Sequence, residues 1–155
     1  MLKFREHYHT SGSQGFTLLE ILLVVAAIAI LAGIVIFAIN PAKQLADTRN
    51  AQRRTDINTL LNAVHQYAID HAGQFPDNVP VLSPNEICRS GASDCNGLVD
   101  LFVLTNDGKY LVGLPADPNG ATTNGSGYNI TKDNNNRITV AAPHAENGET
   151  ISASR

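Results

Sequence analysis

Glu20 poses the sharpest chemical question in this chain, because it is the sole charged residue among residues 17–39. A carboxylate near the centre of a bilayer costs about 2.5–3.5 kcal/mol on insertion scales, so its presence calls for a partner or a function. Taken alone, it reads equally well as a side chain that snorkels to the membrane edge. Cys88 and Cys95 are the two cysteines. Their close spacing suits a short disulfide in an oxidising compartment, with two free thiols as the other reading. A zinc site would need two further ligands at suitable spacing. Asp117, Asn119 and Asp133 carry oxygens of the kind calcium takes, but their pattern reads better as solvated loop residues. His7, His9, His65, His71 and His144 show no clustered metal spacing. Asn124-Gly-Ser and Asn129-Ile-Thr match the common glycosylation acceptor pattern. No nucleophile-base pair and no glycine-rich phosphate motif is present. The residues therefore predict no catalysis, no cofactor and no metal.

The elements that position these residues follow from composition. Residues 21–39 carry no charge, and only Gly33 among them is not plainly apolar. Nineteen such residues cover the hydrocarbon core of a bilayer. Asn40-Pro41 breaks the run, since an internal proline bends or ends a helix. Helical periodicity resumes with Ile57, Leu60, Leu61, Val64 and Ala68 on one face. The simplest reading is one long helix over 17–71, apolar all round in its first half and amphipathic in its second. Gly73 is the expected C-cap, and Pro76 prevents continuation. Residues 74–108 read as a loop-rich connection, with 98–104 a short helix or strand. Strands are expected over 109–114, 127–132 and 137–142, and a weak one over 150–153. Asp133 and Asn134 to Asn136 supply the turn between the second and third. The predicted fold class is α+β, a long N-terminal helix packed on a small C-terminal antiparallel sheet.

Net charge is −3, and removing residues 1–15 leaves 9 basic and 13 acidic residues, or −4. A nucleic-acid binder working by bulk electrostatics is normally basic, so that class is not supported. Lys3 and Arg5 precede the apolar run, whereas Lys43, Arg49, Arg53 and Arg54 follow it. Counting basic flanks alone would keep the polar part inside the cell. Ala27-Ile28-Ala29 matches the small-residue pattern of ordinary signal cleavage, but the apolar run continues ten residues beyond it.

The stretch Gly15-Phe16-Thr17-Leu18-Leu19-Glu20-Ile21, leading straight into the apolar run, resembles the processing site of type IV prepilins and type II secretion pseudopilins. The resemblance is close over residues 1 to about 72. It implies a leader over 1–15, cut after Gly15 by a prepilin peptidase, and a mature N-terminus at Phe16 that is N-methylated. It implies an assembly helix over 16–40, which anchors the subunit in membrane lipid and later forms the filament core. A globular domain over 41–155 then faces away from the cytoplasm. Glu20 becomes the assembly residue, paired with the Phe16 amine of a neighbouring subunit. Ala26, Ala29 and Gly33 form a small-residue face along which helices approach closely. The implied partners are further copies in a homo-polymer and an inner-membrane assembly platform. The alternatives are a membrane-anchored extracytoplasmic binding module and, less well matched, a secreted enzyme.

Overall fold

The computed structural model describes residues 15–155. They fall into two units, one ending at Pro41 and the other running from Ala42 to Arg155. The expected leader over 1–15, apart from Gly15, lies outside the described residues.

The first unit is built on α1, Leu18–Ile39, whose 22 residues are all exposed. At 1.5 Å per residue it is about 33 Å long, enough for a hydrocarbon core of roughly 30 Å. α2 occupies Pro41–Asp70. The expected single helix over 17–71 is thus corrected to two. Asn40 between them is left-handed, at φ 46° and ψ 77°. The cause is local. Pro41 disfavours right-handed helical backbone at the residue before it, while Asn tolerates the left-handed region. Proline is then well placed as the first residue of the next helix.

In the second unit, α2 turns its apolar stripe to the core, and Ile57, Leu60, Leu61, Val64 and Ala68 are all buried. The helix ends through Ala72 and Gly73, both at positive φ, with the Gly73 N–H reaching the Ala68 carbonyl at 2.8 Å. That bond satisfies one of the last free helix carbonyls.

The sheet has the order β1-β2-β3-β4 with every neighbouring pair antiparallel. Its strands are β1 (Asn85–Cys88), β2 (Gly125–Lys132), β3 (Ile138–Ala142) and β4 (Ile151–Ser154). Alternation fixes which face is inward. Tyr128 and Ile130 on β2 and Ile138 and Val140 on β3 are fully buried and join Leu60, Leu61 and Val64 in one core. Asp133 closes the β2–β3 turn, its Oδ1 accepting from the N–H groups of Asn135 and Arg137, both at 2.8 Å.

Two expectations need correction. Residues 109–114 form no strand. Their polar groups bond elsewhere: Tyr110 to Asp70, the Leu111 N–H to the Leu104 carbonyl, the Leu114 N–H to Ser90. Conversely, residues 74–108 contribute β1, which the Pro- and Gly-rich composition concealed. Residues 98–104 are resolved as a short 3-10 turn at Phe102–Leu104, preceded by a bridge from Val99 to Ile87.

Candidate functional site

Thr17 starts α1. Its backbone is extended, at φ −74° and ψ 151°, and its hydroxyl oxygen accepts from the Glu20 N–H at 3.2 Å. Thr-x-x-Glu ahead of an apolar run is the sequence signature of a capping box, so this cap was readable and was missed. Glu20 becomes the third helical residue, in the first turn, where unsatisfied N–H groups favour a negative charge by roughly 0.3–1 kcal/mol. Gly15, Phe16 and Glu20 are exposed. Among the described residues, a Cβ added at Gly15 would meet nothing within 4 Å, so their packing does not require glycine there.

Ala26, Ala29 and Gly33 lie on the same helix, exposed, and Gly33 likewise has open space around it. α1 thus offers an apolar rod with one acid near its start.

Cys88 and Cys95 are joined as a disulfide, with Cα atoms 5.5 Å apart. Cys88 is buried in β1 and hydrogen bonds through its N–H to Val99, so the bridge ties the loop after β1 to the sheet.

Sequence reasoning also missed a polar cluster built on Arg53. Its side chain is completely buried. All five of its N–H donors are used. Nε and Nη2 hold both oxygens of Asp117 at 2.7 and 3.0 Å. Nη1 reaches Asn50 and Glu146, each at 2.9 Å, and Nη2 also donates to Asn119. Glu146 is gripped a second time by Arg49, through two bonds of 2.7 and 2.6 Å. The bonds from Arg49, then those from Arg53, hold the Glu146 carboxyl down at about 2. Burial pushes Asp117 up, but Arg53 and the N–H groups of Asn119 and Gly120 outweigh it and leave its pKa lowered.

The expectation that Asp117 and Asn119 are solvated loop residues is therefore overturned for Asp117, which lies buried against Arg53. A signal was present. Arg53 stands in register with Ile57, Leu60 and Val64, on the apolar face of α2. An arginine there needs a carboxylate partner.

Neither glycosylation pattern is openly presented. Ser126 of the first is fully buried in β2, and Asn129 of the second pairs with Ala141 within the sheet. Among the described residues, no three of His, Cys, Asp and Glu are grouped to hold a metal ion. His71 stacks on Tyr67 and His65 meets the edge of Phe75. His7 and His9 lie outside the described residues.

The prokaryotic N-terminal methylation motif matches residues 10–36, which cover the Gly15-Phe16 junction and most of α1. The type II secretion system core protein G of Escherichia coli (strain K12) is 33% identical over 111 residues, covering 72% of this chain and 70% of that protein. This chain belongs to the type IV pilin and pseudopilin family. Pilins and pseudopilins are structural subunits rather than enzymes, and the α+β architecture with an exposed apolar helix suits that class. No solved structure matches the chain.

Proposed function

We propose that this protein is a filament subunit, cleaved after Gly15 by a prepilin peptidase and polymerised with other copies through α1. Its closeness to a secretion-system core protein favours a type II secretion pseudopilus over a pilus. The observation that carries the reading is α1 itself: 22 residues, none buried by their own chain, with Glu20 as the single charge. Exposed apolar surface of that extent must be covered by lipid, by other subunits, or by each in turn. Before assembly the inner membrane covers it, at an assembly platform. Afterwards neighbouring helices cover it, outside the cytoplasm.

Cleavage places a free amine at Phe16, just ahead of the Thr17 cap. On a neighbouring subunit that amine is the natural counter-charge to Glu20, and in an apolar setting their attraction is weakly screened. Glu20→Ala and Glu20→Gln are expected to insert and be processed normally, because losing an acid eases residence in the bilayer. Both should yield few filaments. Electron microscopy of filament yield, normalised to membrane protein whose N-terminus is confirmed by mass spectrometry as N-methylated Phe16, measures this. Normal yield from both variants would reject Glu20 as the assembly determinant. A mature N-terminus at Ile30 would reject prepilin processing.

A further inference from the structure

Asn-Gly occurs four times in the chain, at Asn96-Gly97, Asn119-Gly120, Asn124-Gly125 and Asn147-Gly148. Asparagine is a thermolabile residue. Before glycine its side chain is least shielded, because the glycine nitrogen has no Cβ beside it and can reach the asparagine Cγ. The folded chain treats the four pairs differently. The Gly120 N–H donates to Asp117 Oδ1 and the Gly125 N–H to Thr122 Oγ1, each at 2.8 Å. Both nitrogens are therefore engaged, and Gly125 is also buried. Gly97 and Gly148 are exposed, and among the described residues their N–H groups make no hydrogen bond. Asn147 stands in the connection between β3 and β4. It is left-handed at φ 57°, Gly148 follows at φ 72°, and the Glu149 N–H closes the turn on the Glu146 carbonyl at 3.1 Å. Its side-chain amide reaches across to α2 and donates to Asp47 Oδ1 at 2.7 Å.

We infer that Asn147 is a self-modification site, where the chain exchanges ammonia for water and gains a carboxylate that repels Asp47. The exposed Gly148 nitrogen gives its proton to solvent base and bonds to Asn147 Cγ. The Cγ–Nδ2 bond breaks, and the amide nitrogen takes a proton from solvent and leaves as ammonia. Water then opens the succinimide ring at either carbonyl, giving aspartate or isoaspartate. Aspartate replaces the donor to Asp47 with a second carboxylate, and like charges so placed repel. Isoaspartate also puts an extra methylene into the main chain of the turn, which opens the bond between Glu149 and Glu146. The Arg49 and Arg53 bonds to Glu146 stay in place, so the change loosens the turn and leaves the loop anchored. Asn96 is open to the same reaction. Its amide donates to Asp94 two residues away, so its conversion disturbs a local turn rather than a contact between segments. The reaction needs only the folded second unit and is independent of filament assembly.

The test incubates the full chain in detergent at mildly alkaline pH in heavy-oxygen water, which labels each new carboxyl, and follows the four sites by peptide mass spectrometry. In folded protein Asn147 and Asn96 should convert at least about fivefold faster than Asn119 and Asn124, the rate equivalent of the hydrogen bond that attack at the latter two must first break. Urea should remove the protection of Asn119 and Asn124. Thr122→Ala, which takes away the acceptor of the Gly125 N–H, should speed conversion of Asn124 and leave Asn147 unchanged. Asn147 converting no faster than Asn119 and Asn124 in folded protein would overturn the inference, as would Asn119 and Asn124 staying slow in urea. The consequence is read in Asn147→Asp by backbone hydrogen exchange, which should quicken at Glu149. Asp47→Asn combined with Asn147→Asp restores one amide facing one carboxylate and should return exchange to its original rate. Exchange unmoved by Asn147→Asp, or not restored in the double variant, would reject the repulsion with Asp47.

Discussion

Arg53 illustrates how one side chain organises two loops. Residues 115–122 are held through Asp117 and Asn119, and residues 143–149 through Glu146. A buried ion pair adds little over a well-packed apolar pair, but removing one partner strands the other charge in the interior. Arg53→Ala should therefore destabilise the second unit by about 3–5 kcal/mol. Arg53→Lys should recover only part of this, because an ammonium cannot supply the planar fork that grips both oxygens of Asp117. Arg53→Met with Asp117→Leu should be more stable than Arg53→Ala alone. Urea unfolding followed by near-ultraviolet dichroism measures all three. A loss below about 1 kcal/mol for Arg53→Ala would remove Arg53 as the organising residue. Gly127 supports the same cluster. It sits at φ 80°, and a Cβ there would lie 2.6 Å from the Asp117 Cβ, so no larger residue fits.

The elements divide the labour between solvent environments. α1 is exposed all round within its own chain, whereas α2 turns its apolar stripe to its own sheet. Leu60, Leu61 and Val64 are each buried, stabilising the unit by roughly 1.5–3 kcal/mol apiece. β1 is the most weakly specified strand, four residues long with a register shift between Glu86 and Cys88. The disulfide offsets that weakness. Its cysteines are seven positions apart, and closing so short a loop is worth about 2.5 kcal/mol on the chain-entropy account. Reduction, or Cys88→Ser with Cys95→Ser, should lower stability by about that amount while leaving the sheet folded. Denaturation with and without reductant measures the loss, and alkylation of unreduced exported protein checks the pairing. Two freely reactive thiols there would refute it.

Taken as a whole molecule, the chain is most sensitive to acid through the cluster on α2. Glu146 titrates at about 2 when folded against 4.5 as an ordinary glutamate, and Asp117 is lowered as well. A carboxyl depressed on folding contributes stability that is complete above its unfolded value. That stability is lost as pH falls through the folded value, so it should decline from about pH 4.5 towards about 2. Asp56 acts in the opposite sense. Burial raises it, although the Tyr128 hydroxyl donating at 2.6 Å draws it back. The net expectation is a steep acid limb that Glu146→Gln flattens, with a lower plateau at neutral pH. Urea midpoints between pH 2 and 7 give the measurement. An unchanged slope in Glu146→Gln would place the acid sensitivity elsewhere.

Local pattern was enough for much of this protein. The apolar run and its single acid are consecutive, and a helix of that length and composition was readable without any distant partner. The buried face of α2 was legible because its residues recur every three or four positions. β2 and β3 were legible from alternation and the Asp133 turn. Other features depended on residues far apart in the chain. Asp117 lies 64 positions from Arg53 and Glu146 lies 93 from it, so no local window shows that either pairs with it. Residues 109–114 include Tyr110 and Val112, which suit a strand, yet tertiary bonds to Asp70, Leu104 and Ser90 claim the segment's polar groups instead. β1 has too few apolar residues to announce itself and exists because β2 supplies its ladder. Periodicity marks which face of a segment is buried, but the partner that completes a buried charge or an edge strand is chosen only when distant segments meet.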